Sequence, residues 1–143
     1  MNFDVKMQTF REKRHHALGM GGEKKLAAKR ESGELNVRER IEYILDANSF
    51  IEQGLFSHSD QPGMEDKSPC DGKIVGFGKV EGRPVAVVSL DITVRGASSA
   101  NVNGKKIGYI KRISCSRGFP AIFLSEAGGA RMPDYMGARG MVA

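Results

Sequence analysis

Two apolar stretches flank the dipeptide Glu81-Gly82: one within residues 72–80, and Val85-Ala86-Val87-Val88-Ser89-Leu90 within 84–91. Such runs joined by a Gly-containing turn predict a β-hairpin. Residues 85–90 show almost no polar alternation, which predicts a strand buried on both faces. A third run, Pro120-Ala121-Ile122-Phe123-Leu124, predicts a buried strand over 120–125. Between these strands the period changes. Ile107, Ile110 and Ile113 recur at helical spacing, predicting a helix over about 103–117 with Lys105, Lys106, Lys111 and Arg112 outside. Gly118 and Pro120 end it.

The first 46 residues read differently. Residues 4–18 and 23–32 predict two charged helices, separated by the break Gly19-Met20-Gly21-Gly22. A third helix is predicted over about 37–46. Asn36 is its N-cap and Glu39 the capping-box partner, and Val37, Ile41, Ile44 and Leu45 form the apolar stripe. Arg38, Glu39, Arg40 and Glu42 fall on the other side. Residues 57–71 lack a hydrophobic pattern and read as loop. The division expected is a helical arm at 1–46 and an α/β domain at 47–143. From residue 72 the order is strand, strand, helix, strand, turn, with a helix from about 130 that Pro133 interrupts. That order fits a spiral of ββα units, each covering its neighbour's apolar face.

The turn after the last strand carries the candidate chemistry: Ser125-Glu126-Ala127-Gly128-Gly129-Ala130-Arg131. A Gly-Gly pair after a strand lets backbone N–H groups approach a ligand, because no Cβ intervenes. If a helix opens there, its first N–H groups lack intrahelical partners and can face a developing oxyanion. The alternative is a pair of glycines that serves close packing alone.

Composition narrows the setting. The chain has 143 residues, one domain's worth, with 40% hydrophobic and 27% charged residues. No run approaches a membrane span and the N-terminus lacks a secretory apolar core, so no membrane partner is expected. Cys70 and Cys115 form no CxxC and no His/Cys cluster, and His15, His16 and His58 have no ligand-like spacing. The expectation is no metal and a reducing, cytoplasmic setting, with the mitochondrial matrix left open although Asp4 and Glu12 speak against a presequence. The net charge of +5 is concentrated in residues 1–40, with ten Lys/Arg against six Asp/Glu. Without a nucleic-acid motif, this arm reads as a solvated helical face rather than a nucleic-acid surface.

An ordered series of segments points further. Gly21-Gly22-Glu23-Lys24-Lys25-Leu26-Ala27, Gly33-Glu34-Leu35-Asn36-Val37-Arg38-Glu39-Arg40-Ile41, Leu45-Asp46 and Ser49-Phe50-Ile51-Glu52 come first. They are followed by 71–80, 82–87, Asp91-Ile92-Thr93-Val94, Gly104-Lys105-Lys106-Ile107 and Gly128-Gly129-Ala130-Arg131. Together they resemble the N-terminal part of the carboxyltransferase (β) subunit of biotin-dependent acyl-CoA carboxylases, the acetyl-, propionyl- and methylcrotonyl-CoA class. The resemblance implies a crotonase-like ββα superhelix, here incomplete and preceded by N-terminal helices. It also implies transfer of a carboxyl group from carboxybiotin, on a partner carrier domain, to the α-carbon of an acyl-CoA.

By that resemblance Gly128, Gly129 and Ala130 are the catalytic candidates, offering N–H groups to an enolate oxygen. The crotonase architecture brings Gly96-Ala97-Ser98 beside them to meet the CoA arm, where the family has Gly-Gly-Ser; an ordinary tight loop is the alternative. The family often has Asp where Glu126 stands and Ser where Ala127 stands, so a hydroxyl contact at 127 is lost. Arg131 either meets a phosphate or holds its loop through carbonyls. Lys105 and Lys106 either meet the CoA phosphates or form a solvated face. The implied partners are the remaining carboxyltransferase half or a second subunit, and the biotin carboxylase and biotin carrier subunit, in an oligomer. The reading from a different class is an assembly module that needs a complementary chain and has no catalysis of its own.

Overall fold

Hairpin 73–90 is the framework on which the other elements pack. In the computed structural model, which describes residues 2–126 and 128–135, β2 (Lys73–Val80) pairs antiparallel with β3 (Arg83–Leu90). Glu81 and Gly82 connect them with φ of 51° and 76°, the left-handed pair that a two-residue hairpin turn requires. Asp46 fastens this turn: its carboxylate accepts from Glu81 N (2.9 Å) and Gly82 N (2.8 Å).

β1 (Ile51–Gln53) adds to the free side of β2, and β4 (Ala121–Leu124) pairs parallel with β3, giving the order β1-β2-β3-β4. The helix between β3 and β4, which runs Asn101–Arg117, makes the crossover that a parallel pair needs. Gly118 ends it in the left-handed conformation, as the sequence predicted. Residues 85–90 of β3 are all buried, since a helix covers each face of the sheet. On one face Met20, Val37, Ile41 and Leu45 pack on Ile74, Val85 and Val87. On the other, Ile110 and Ala97 pack on Val75, Ala86 and Val88.

In chain order the helices are α1 (Phe3–Leu18), α2 (Glu23–Glu31), α3 (Val37–Ile44), α4 (Asn101–Arg117) and α5 (Met132–Tyr135), with short 3-10 turns at Glu65–Lys67, Pro69–Gly72 and Arg95–Ala97. The capping box of α3 forms as expected: Asn36 Oδ1 accepts from Arg38 N and Glu39 N, while Glu39 accepts from Asn36 N. Several boundaries differ from the sequence reading. α3 stops at Ile44, because Leu45 turns extended and Asp46 N donates to Lys79 O (2.8 Å). β1 was not anticipated; three residues are too few for a readable period. Pro133 does not interrupt α5 but sits in its first turn, where its missing N–H costs no helical bond. Residues past Tyr135 lie outside the described set.

Candidate active site

β3 leaves the sheet into the turn Arg95–Ala97, whose three residues all take positive φ: 52°, 63° and 51°. Arg95 and Ala97 carry side chains, and L-residues persist in this region only where the surroundings hold them. The chain leaving β4 runs alongside. Ser99 N donates to Gly129 O (2.8 Å) and Arg131 N donates to Ser99 O (2.7 Å), a single parallel bridge between Ser99 and Ala130. In such a bridge the N–H and C=O of the central residue, Ala130, point away from the paired loop.

The two glycines do different work. A Cβ on Gly128 would run into the Gly96 carbonyl, so this glycine is required by close approach of the two loops. Gly129 takes φ of 81°, and a Cβ there would meet none of the described residues within 4 Å. Its side of the turn is open. Among the described residues the N–H groups of Gly129 and Ala130 have no hydrogen-bond partner. Gly96-Ala97-Ser98 and Gly128-Gly129-Ala130 thus form one short backbone wall. The sequence reading left open whether a helix begins at the glycines; Arg131 N is taken by Ser99 O and α5 begins at Met132, so the wall precedes the helix. Ala127 lies outside the described residues.

Behind the wall lies a buried polar cluster that the sequence did not announce. Asn103, in the first turn of α4 and 1% exposed, donates from Nδ2 to Ser98 O (3.0 Å) and Asp71 O (3.1 Å) and accepts at Oδ1 from Ala100 N (2.9 Å). Asp71 accepts from Asn103 N (3.1 Å) and from Arg131 Nη1 (2.6 Å). Arg131 also reaches Asp134 Oδ2 (3.2 Å) and Ser98 Oγ (3.2 Å). Lys73, 1% exposed at the start of β2, donates from Nζ to the Ala97 carbonyl. Burial holds the Asp71 carboxyl above its ordinary value despite Arg131, and lowers the Lys73 ammonium to about 8 against the pull of Asp71.

This arrangement corrects two sequence readings. Arg131 is 4% exposed and bound to two carboxylates and a hydroxyl, so among the described residues its guanidinium has neither a phosphate-facing position nor a backbone carbonyl to hold. Lys106 is not outside: its Nζ donates inward to Cys70 O (2.9 Å) and Lys73 O (2.7 Å), and burial lowers its pKa. Lys105 is exposed on α4, away from that cluster. Arg38 and Arg40 are not a free outer face either. Arg38 pairs with Glu52 (2.8 Å), and Arg40 and Lys29 both pair with Glu126 (3.0 and 3.1 Å), two residues before Gly128. Burial, with the Glu52 carboxylate beside it, pushes the Cys70 thiol up to about 11, which keeps it protonated rather than nucleophilic.

Of these residues only Asn103 carried a local signal, a polar side chain at N3 that can reach back to the N-cap N–H. Asp71, Lys73 and Lys106 owe their partners to segments 24 to 60 positions away.

The sheet order, the β3–α4–β4 crossover and the paired backbone turns define a crotonase-like α/β fold. Residues 28–142 match the Carboxyl transferase domain family, and the chain belongs to that family. It is 39% identical over 137 residues to the propionyl-CoA carboxylase carboxyltransferase subunit of Haloferax mediterranei, covering 94% of this chain and 27% of that protein. A putative propionyl-CoA carboxylase beta chain of Bacillus subtilis is 37% identical over 128 residues, covering 90% and 25%. Among solved structures, transcarboxylase 12S with methylmalonyl-CoA bound superimposes with a TM-score of 0.85 at 28% identity, over 99% of this chain and 28% of that one. The chain therefore spans about a quarter of the length of the relatives it matches. No helix among the described residues is long and apolar enough to cross a membrane, and no group of three or more His, Cys, Asp or Glu among them is placed to hold a metal ion.

Proposed function

We propose that the chain is the acyl-CoA-facing segment of a carboxyltransferase that moves a carboxyl group from carboxybiotin to the α-carbon of an acyl-CoA. The observation that carries this reading is the open side of the Gly129 turn, held against Gly96–Ser99 by the Ser99–Ala130 bridge. Loss of the α-proton places negative charge on the thioester oxygen. The N–H groups of Gly129 and Ala130, rigidly held and unpaired among the described residues, are the donors offered to that oxygen; one such donor is worth about 3 kcal/mol of barrier. Gly96, Ala97 and Ser98 line the CoA side of the wall, and Lys105, exposed on α4, is a point charge available to a CoA phosphate. Carboxybiotin, on a carrier from a partner subunit, supplies the carboxyl group. The biotin carboxylase and carrier subunit, the rest of the carboxyltransferase and an oligomeric assembly belong to the same proposal, as does a cytoplasmic or matrix location.

The test is titration of the chain with propionyl-CoA and with free CoA by calorimetry. Binding that requires the nucleotide and strengthens with the acyl group supports the reading. No binding of either at millimolar concentration would overturn it and favour the assembly module, to which the 47% exposed Phe123 on edge strand β4 also points.

A further inference from the structure

Lys73 is out of place by composition. It is 1% exposed at the first position of β2, opposite Leu90, where an apolar side chain would be buried at no electrostatic cost. Its Nζ donates to the carbonyl of Ala97, the last residue of the left-handed turn at φ of 51°. The next carbonyl, Ser98 O, is held by Asn103 Nδ2 at 3.0 Å. The carbonyl before it, Gly96 O, abuts Gly128. Two successive carbonyls of the loop are thus bonded by two different segments, with Lys73 the charged donor, and the carbonyl of Gly96 lies against Gly128.

We propose that Lys73 is a positioning residue: by donating to the Ala97 carbonyl it sets the peptide geometry of the Arg95–Ala97 turn, and through Gly96 the placement of Gly128 and Gly129. If the Ala97–Ser98 peptide rotated, its carbonyl would leave Nζ and Ser98 N would leave Arg95 O, to which it donates at 3.3 Å. An ammonium is a stronger donor than a neutral group, which suits it to a conformation that side-chain-bearing residues rarely adopt. The charged groups around it are Asp71, which favours the ammonium, Arg131, which opposes it, Asp134 paired with Arg131, and Lys106, whose Nζ bonds the Lys73 carbonyl. The consequence for chemistry rests on the proposed acyl-CoA reading of the wall; the positioning itself does not.

The experiment is amide NMR on the 15N-labelled 143-residue chain and its Lys73→Met variant. The amides of 97–99 and 128–131 are expected to shift, and those of Ala97 to Ser99 to exchange ~10-fold faster or more, while hairpin amides of β2 and β3 keep their positions. Loop amides that superimpose in the two proteins would overturn the proposal. Lys73→Gln serves if the Met variant does not fold. The unmodified chain gives an independent readout: the same loop amides should titrate together with a midpoint near 8, following Nζ. Nζ titrating while the loop amides stay still would also overturn it. Propionyl-CoA separates the two readings. Loop amides that move in the variant of a chain that binds no propionyl-CoA leave the positioning role standing and remove the acyl-CoA role. The reverse pattern does the opposite.

Discussion

Replacing Asn103 tests whether the loop at 96–100 is held by its buried polar bracket. Asn103→Ala removes three hydrogen bonds, to Ser98 O, Asp71 O and Ala100 N, and leaves those groups without that partner in a site where Asn103 is 1% exposed. At about 1 kcal/mol net for each bond, the loss is about 3 kcal/mol, more if the unpaired carbonyls stay dry. That is a large part of the 5–15 kcal/mol typical of a domain (roughly 0.1 kcal/mol per residue). At about 4 °C per kcal/mol for a chain of this size, the melting temperature should fall by about 12 °C. Urea denaturation followed by circular dichroism measures the free energy, and calorimetry the temperature.

Asn103→Asp separates hydrogen bonding from the cavity, since it preserves volume. Asp keeps the acceptor for Ala100 N but turns a carboxylate oxygen toward two carbonyls and places its charge beside Asp71. Its folded pKa must then lie above the unfolded value of about 3.9. A raised folded pKa adds stability at low pH that is lost as the pH rises, so the gap to wild type should close between about pH 7 and 4. An Asn103→Ala loss below about 1 kcal/mol, or an Asn103→Asp gap that does not change with pH, would refute the bracket.

The two glycines should part company. Gly129→Ala pays about 1 kcal/mol of left-handed strain in open space, whereas Gly128→Ala forces the loops apart at about 2–3 kcal/mol; chemical denaturation should rank them in that order, and equal losses would contradict the geometry. In a full-length carboxyltransferase carrying this turn, Gly129→Val should lower kcat about 10²-fold with little change in CoA binding, and a normal kcat would make Gly129 a packing residue. Asp46→Ala removes both caps of the hairpin turn and should cost about 1–3 kcal/mol, read from the urea midpoint at unchanged m-value. Lys73→Met should lie within about 1 kcal/mol of wild type at pH 7, because relief of a buried charge offsets the Ala97 carbonyl left without its donor. Wild type should then gain on it by about 1–3 kcal/mol between pH 8 and 10.5, the window in which the unfolded lysine holds a proton that the folded one has released.

Much of the framework was legible in the chain itself. The hairpin, its Glu81-Gly82 turn, the α3 capping box, the Gly118 helix end and the order of elements rest on interactions within a few residues, and local spacing records those directly. The Gly128-Gly129 turn was legible for the same reason: only glycine suits a close approach or a positive φ, so its presence marks the place. What each glycine does was not legible, because that depends on where the Gly96 carbonyl lies, 32 positions earlier.

The expectation that Lys106, Arg38 and Arg40 form solvated faces came from periodicity, which assigns a side of a helix but not what covers that side. Lys106 lies against the 69–73 segment, and the two arginines meet Glu52 and Glu126. Arg131 is the sharpest case. Next to Gly128-Gly129-Ala130 it reads as a phosphate contact or a brace for its own loop, yet Asp71, 60 residues away, pairs with it. The sequence alone determined the hairpin, the longer helices, the strand β4 and the glycine turn, because those are properties of neighbouring residues. The tertiary structure decided which charges are buried and what they hold, because a buried charge takes its partner from whichever distant segment the packed sheet brings within 3 Å, and no local pattern encodes that meeting.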